Sequence, residues 1–218
     1  MRYKYILFDL DGTLTDSGPG IINSVIYALE RFNIKVADRN TLRPFIGPPL
    51  TDSFQRFMGS SREEAEKAVA YYREYYTDKG MFENTVYDGV PRLLETLLKQ
   101  DMHLILTTSK PEVYAKQIME YFDLARYFEL IAGSCLDGTR VKKAEVIRYA
   151  LENRAITDLS KTIIVGDREH DVMGAKATGI SSLGVLYGYG DREELEHAGA
   201  DYIAETVADI GKILLKQE

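Results

Sequence analysis

Cysteine is nearly missing from this chain of 218 residues, in which Cys135 stands alone. One thiol excludes an internal disulfide framework and suits a reducing compartment, so a cytoplasmic protein is expected. Cys135 is a poor candidate nucleophile, because its neighbours Gly133, Ser134 and Leu136 offer no base. Long apolar runs are lacking too. None approaches the roughly 20 residues that span a bilayer. Lys4 is followed by only four apolar residues before Asp9, so neither a membrane anchor nor a secretion signal is expected. Positive charge is scarce as well. With 27 Lys and Arg against 34 Asp and Glu, the net charge of −7 argues against a nucleic-acid polymer as partner, since such binding runs on clustered cations. A small phosphorylated molecule needs only a local positive site and stays open as a ligand. Repeats and low-complexity tracts are absent. What is present, 45% hydrophobic and 28% charged, is an ordinary globular composition. The length allows one large domain, or a main domain with a smaller appendage.

Short apolar runs alternate with longer amphipathic stretches. Strands are expected at 4–9, 103–107, 129–132, 162–166, 183–186 and 201–204. Helices are expected near 90–99, 112–122, 143–153, 170–177, 191–197 and 206–215, from a periodicity close to 3.6 residues. Such alternation points to a Rossmann-like α/β fold, a parallel sheet with crossover helices. Residues 17–85 break the pattern and read as helices alone, at 20–33, 49–58 and 61–79, with a Pro-rich turn over 43–49. The expected division is therefore an α/β core of 1–16 and 86–218 with an all-helical cap of 17–85 inserted after the first strand. In open α/β sheets ligands bind at the carboxyl ends of the strands, where such an insertion could act as a lid. Tyr71, Tyr72, Tyr75 and Tyr76 form an aromatic stripe whose duller reading, core packing of the helical unit, is preferred to a docking site.

The chemistry is concentrated where apolar runs end. After Tyr5-Ile6-Leu7-Phe8 the chain turns acidic at Asp9-Leu10-Asp11-Gly12-Thr13-Leu14. Carboxylates two residues apart point to one side of an extended backbone and repel unless a cation sits between them. Mg2+ is the usual hard cation beside phosphate, while a solvated acidic turn is the plain alternative. The run His103–Thr107 leads to Thr108, whose hydroxyl, with backbone N–H groups of the turn that follows, could hold phosphate oxygens or simply cap a helix. Thr162–Val165 leads to Gly166-Asp167, with Asp171 one helical turn later. Asp171 alone is explained by the helix dipole. Together with Asp9, Asp11 and Asp167 it makes a four-carboxylate cluster. An anionic substrate then needs a cation, for which Arg140, Lys142 and Lys143 are the candidates, unless that charge run is only a solvated loop.

In their order and spacing, Asp9-Leu10-Asp11-Gly12-Thr13-Leu14, the strand leading to Thr108, a lysine ahead of a helix, and Gly166-Asp167 with Asp171 resemble the four motifs of the haloacid dehalogenase-like hydrolases. Asp88-Gly89-Val90-Pro91, Thr108-Ser109-Lys110-Pro111 and Gly166–Asp171 are similar to the phosphoglycolate phosphatase-like branch with its helical cap. The resemblance implies a Mg2+-dependent phosphatase acting on a small phosphorylated metabolite of the phosphoglycolate or nucleoside monophosphate type, as a monomer or weak homodimer. It implies Asp9 as nucleophile and Asp11 as general acid/base. It implies Asp9, Asp167, the backbone carbonyl of Asp11 and Asp171 as metal-binding groups, and Thr108, Ser109 and a lysine as phosphate holders. Arg140-Val141-Lys142-Lys143 departs from the family's usual Lys-Pro-x-Pro; Lys143, nearest the helix start, is the choice, and Lys142 stays open. Arg43 and Gly47 are the cap residues expected to touch the leaving group. A phosphomutase of the β-phosphoglucomutase type would share the core residues, and a non-enzymatic binding protein on the same scaffold is a third reading.

Overall fold

In the computed structural model, which describes residues 2–215, the chain divides into two compact units. One comprises Met1–Thr15 with Val86–Glu218 and the other Asp16–Thr85. In chain order the regular elements are β1 (Tyr5–Phe8), β2 (Thr15–Asp16), α1 (Gly18–Glu30), α2 (Leu50–Met58), α3 (Arg62–Asp78), β3 (Thr85–Val86), α4 (Val90–Leu98), β4 (His103–Pro111), α5 (Glu112–Tyr121), β5 (Leu130–Ser134), α6 (Lys143–Asn153), β6 (Thr162–Gly166), α7 (Glu169–Thr178), β7 (Ser181–Val185), α8 (Arg192–Ala198), β8 (Tyr202–Ala204) and α9 (Val207–Leu214).

Six strands form one sheet in the order β5-β4-β1-β6-β7-β8, and each resolved pairing is parallel. Ile6, Leu7 and Phe8 of β1 are fully buried, which only a strand covered on both faces requires. Leu7, Ile105 and Ile164 share a core with Val146, Ile147 and Ala150 of α6 and Ala175 of α7. The chain passes from β1 to its neighbour β4 and outward to β5, then returns to pair β6 on the other side of β1. That reversal of direction makes the carboxyl ends of β4, β1 and β6 the topological switch point, where such sheets bind ligands.

The second unit is helical because its sequence buries stripes at helical spacing. Ile21, Val25, Ala28 and Leu29 line α1, and Ala65, Ala68, Val69, Tyr72 and Tyr76 line α3. A reciprocal cap fixes the start of α3: Ser61 accepts from the Glu64 N–H at 3.2 Å, and Glu64 accepts from the Ser61 N–H at 3.0 Å. The tyrosine stripe splits in two. Tyr72 and Tyr76 stack with ring centroids 5.2 Å apart and are buried, whereas Tyr71 and Tyr75 stay half-buried on the shoulder. There Tyr75 donates to Glu83 at 2.9 Å and Tyr71 meets the Phe32 ring edge-on. The expected Pro-rich turn is more ordered than its prolines imply. A 3-10 helix runs over Arg39–Phe45, with Asp38 accepting the Asn40 N–H at its start.

Candidate active site

Three neighbouring strands deliver the polar groups. Asp9 follows β1 directly, and its N–H donates to the Val165 carbonyl of β6 at 2.9 Å. Ladder bonding thus continues one residue beyond the apolar run and holds Asp9 in the sheet, 8% exposed. Asp167 follows β6 in the same way and is fully buried. Asp171 lies in the first turn of α7, where one oxygen accepts the Arg168 N–H at 3.2 Å. Its capping role is therefore real, yet it uses only part of the carboxylate.

Oxygens of Asp9, Asp167 and Asp171 all lie within 4.8 Å of one another, and all three residues are buried. Between Asp9 and Asp171 stands one cation. The Nζ of Lys143 lies 2.7 Å from an oxygen of each and donates to the Thr107 carbonyl at 3.0 Å. The Asp171 contact is a buried ion pair. A cation in the first turn of a helix opposes the helix dipole, so α6 carries Lys143 there at some cost. Glu145 offsets it by accepting the N–H groups of Val141 and Lys142 at 2.8 and 2.9 Å.

The electrostatics follow from burial. Desolvation pushes the Asp9 carboxyl above its ordinary range; the Lys143 ammonium opposes this and the Asp171 charge adds to it. Desolvation raises Asp167 well above the usual value, with the charges of Asp171 and Asp9 adding to the rise. Burial alone would depress Lys143, but Asp171 and Asp9 outweigh it and raise its pKa instead. One lysine thus serves a cluster of three buried carboxylates, two of which it touches. Oxygen-only donors converging this closely in a cation-deficient site fit a hard divalent ion such as Mg2+.

Packing around the cluster leaves no room for larger residues. Gly12 sits at φ +81°, and a Cβ there would lie 2.1 Å from an Asp167 oxygen. A Cβ on Gly166 would meet the Asp171 carboxyl carbon at 2.1 Å. The loop after β7 closes on Asp167. The Tyr189 N–H donates to Asp167 at 2.7 Å, and Tyr187 donates its hydroxyl to the Thr13 carbonyl at 2.8 Å. The closely spaced glycines of Gly188-Tyr189-Gly190 after a buried strand were the available signal.

The expected four-carboxylate cluster contains three. Asp11 turns elsewhere, because a second lysine is within reach: Lys110 Nζ lies 2.9 Å from its Oδ2. Lys110 belongs to the Thr108-Ser109-Lys110-Pro111 segment, whose hydroxyls are its more conspicuous feature in sequence. Burial separates the two lysines, with Lys143 inside and Lys142 exposed. Arg140 is not in the cluster; its guanidinium binds the Gly133 carbonyl at 2.7 Å and Glu112 at 2.8 Å. Thr108 is buried and accepts the Lys110 N–H at 3.2 Å, which leaves its hydroxyl proton available to donate. Ser109 beside it is half-buried. Arg43 and Gly47, in the helical unit, are exposed. No helix among the described residues is long and apolar enough to cross a membrane.

A family model described as haloacid dehalogenase-like hydrolase matches residues 6–185. A 5'-nucleotidase of Pseudomonas aeruginosa is 44% identical over 209 residues, 95% of this chain and 94% of that protein. The tyrosine-protein kinase PtkA of Mycobacterium tuberculosis is 36% identical over 97% of this chain and 72% of its own length. Among solved structures, a predicted phosphatase from Clostridium acetobutylicum superposes with a TM-score of 0.94 at 49% identity, covering 100% of both chains.

Proposed function

Because this chain belongs to the haloacid dehalogenase-like hydrolases and is a phosphoric monoester hydrolase, we propose that it is a Mg2+-dependent phosphatase of small phosphorylated metabolites. Nucleoside 5'-monophosphates are the first substrate class to test, and the phosphoryl group passes through Asp9. The observation that carries this reading is the double engagement of Lys143, 2.7 Å from both Asp9 and Asp171 beside the buried Asp167. A purely structural role gives little reason to bury a third carboxylate, Asp167, beside two that already share one ammonium.

Mg2+ held by Asp9, Asp167, Asp171 and the Asp11 backbone carbonyl would neutralise phosphate charge, which a carboxylate nucleophile otherwise could not approach. An Asp9 oxygen attacks phosphorus while the bond to the leaving oxygen breaks, and protonated Asp11 gives that oxygen its proton. Asp11 then takes a proton from water as the water oxygen attacks phosphorus. The bond from phosphorus to Asp9 breaks, and inorganic phosphate leaves with both residues restored. Lys143 and the hydroxyls of Thr108 and Ser109 hold the non-bridging oxygens as charge spreads over them. All of these residues lie outside Asp16–Thr85, so the reading asks neither nucleophile, acid nor metal ligand of the helical unit and leaves it the choice of leaving group.

The test is phosphate release, ranked by kcat/KM, from nucleoside 5'-monophosphates, phosphoglycolate, sugar phosphates, pyrophosphate and p-nitrophenyl phosphate. Mg2+-dependent release is expected. No release from any ester, or retention of the phosphoryl group on a second hydroxyl as in a mutase, would overturn the reading. Arg43→Ala should change kcat/KM unequally across the panel and by less than about twofold on p-nitrophenyl phosphate, since uneven loss is how a specificity residue differs from a phosphate holder.

A further inference from the structure

The segment Thr108-Ser109-Lys110-Pro111 is built to aim one side chain. Along β4 and β5 the register runs Thr107↔Ala132 and resumes at Pro111↔Ser134, so Thr108, Ser109 and Lys110 stand opposite Gly133 alone. Such a bulge bends the strand and redirects side chains near its end. Gly133 permits it, since a Cβ there would lie 2.7 Å from the Lys110 carbonyl oxygen and 2.5 Å from the Glu112 Cα. Arg140 braces the bend by bonding both Gly133 and Glu112. At its apex the Lys110 N–H donates to Thr108, and the side chain carries Nζ to 2.9 Å from Asp11 Oδ2.

The pair is buried, with side chains 6% and 14% exposed. Burial of an ion pair is weak evidence of a stabilising purpose, because desolvation offsets the attraction. The other oxygen, Asp11 Oδ1, is buried and has no hydrogen-bond partner. A pair serving stability alone would not leave that atom unsatisfied. One carboxylate oxygen is therefore tied while its twin is left to meet a group that the folded chain does not supply.

We propose that Lys110 is a positioning residue for the phosphatase reaction, holding Asp11 by Oδ2 so that Oδ1 is the atom that exchanges a proton with the leaving group. The inference rests on the phosphatase reading above. Lys110 acts through Asp11 and contacts neither phosphorus nor its non-bridging oxygens. Its loss should therefore be felt in proportion to how badly the leaving oxygen needs a proton.

The experiment is a series of aryl and alkyl phosphates of rising leaving-group pKa, assayed with Mg2+ by kcat/KM, which reports steps up to the first bond cleavage. Lys110→Met should lose about 100-fold on alkyl esters and under about fivefold on p-nitrophenyl phosphate, the span that general-acid assistance covers. On an Asp11→Asn background, the same change should cost less than about threefold, because two residues acting as one unit are not additive. Lys110→Gln keeps a donor for Asp11 and takes the place of the methionine variant if that fails to fold. Equal losses across the series, unchanged kcat/KM, or a further tenfold loss on the Asp11→Asn background would overturn the proposal. A wild-type protein inactive on every ester would instead overturn the phosphatase reading, and this inference with it.

Discussion

At the amino ends of β4 and β5, His103, Glu129 and Arg154 form a polar cluster that solvent still reaches; at the carboxyl ends of β1 and β6, Asp9, Asp167, Asp171 and Lys143 form one that it scarcely does. Glu129 pairs with His103 at 2.5 Å and with Arg154, and their side chains are 31%, 35% and 40% exposed. Burial pushes the Glu129 pKa up, but His103 and Arg154 outweigh it, and the carboxyl ends below its ordinary value. At the other end the same kinds of groups are buried and in deficit of positive charge, and Asp9 and Asp167 end above theirs. Proximity of charges is common to both ends. What separates them is desolvation without enough counter-charge, which stabilises nothing by itself and leaves a place for a cation and an anion.

That contrast is broken most severely by Asp9→Asn, which keeps the shape and removes the anionic nucleophile. Phosphatase turnover should fall on the order of 10^4-fold or more, as for other covalent nucleophiles, measured as Mg2+-dependent phosphate release with folding checked by circular dichroism. Lys143→Met comes next. Removing one partner of a buried pair should lower stability by about 3 kcal/mol and kcat on the order of 10^2 to 10^3-fold. Denaturant unfolding and steady-state kinetics on p-nitrophenyl phosphate measure the two.

Asp167→Asn sharpens the comparison, because activity and stability should move in opposite directions. The amide relieves a buried repulsion, so the metal-free protein should gain about 1 kcal/mol while the Mg2+ concentration for half-maximal activity rises at least tenfold. The sign with pH follows from carboxyls whose native pKa lies above the ordinary 3.8. The native state then holds protons more tightly than the unfolded chain. Their contribution is full below the unfolded value and is lost as pH climbs through the raised native values. The metal-free melting temperature should therefore fall over that rise, and the gain on adding Mg2+ should grow over it. Asp167→Asn should flatten both trends, read by thermal unfolding with EDTA and with Mg2+. At the exposed end, Glu129→Gln should cost less than about 1 kcal/mol, as half-exposed pairs do, and leave kcat unchanged. A loss of activity there would erase the distinction between the two ends.

Much of this was legible in the sequence because burial on both faces leaves an unbroken apolar run. The strand over Thr162–Gly166 and the helix over Lys143–Asn153 match their expected bounds of 162–166 and 143–153. Asp9 and Asp167 were legible for the same reason, each standing at the abrupt end of such a run. Lys143 and Lys142 looked alike because adjacent residues in a charge run differ only in the direction the helix start gives them. That direction depends on Glu145 capping α6. Lys110 was hidden by a register shift between two strands whose partners, such as Thr107 with Ala132 and Pro111 with Ser134, are distant in sequence, which no local pattern records. Arg140 looked free for phosphate because its partner Glu112 is 28 residues away.

Passage of the phosphoryl group through Asp9 is tested most directly by rapid acid quenching during turnover of a 32P-labelled ester. The expected result is a hydroxylamine-labile label on the peptide containing Asp9, absent from Asp9→Asn. Steady phosphate release with no protein-bound label at any quench time, or a label on another residue, would contradict it.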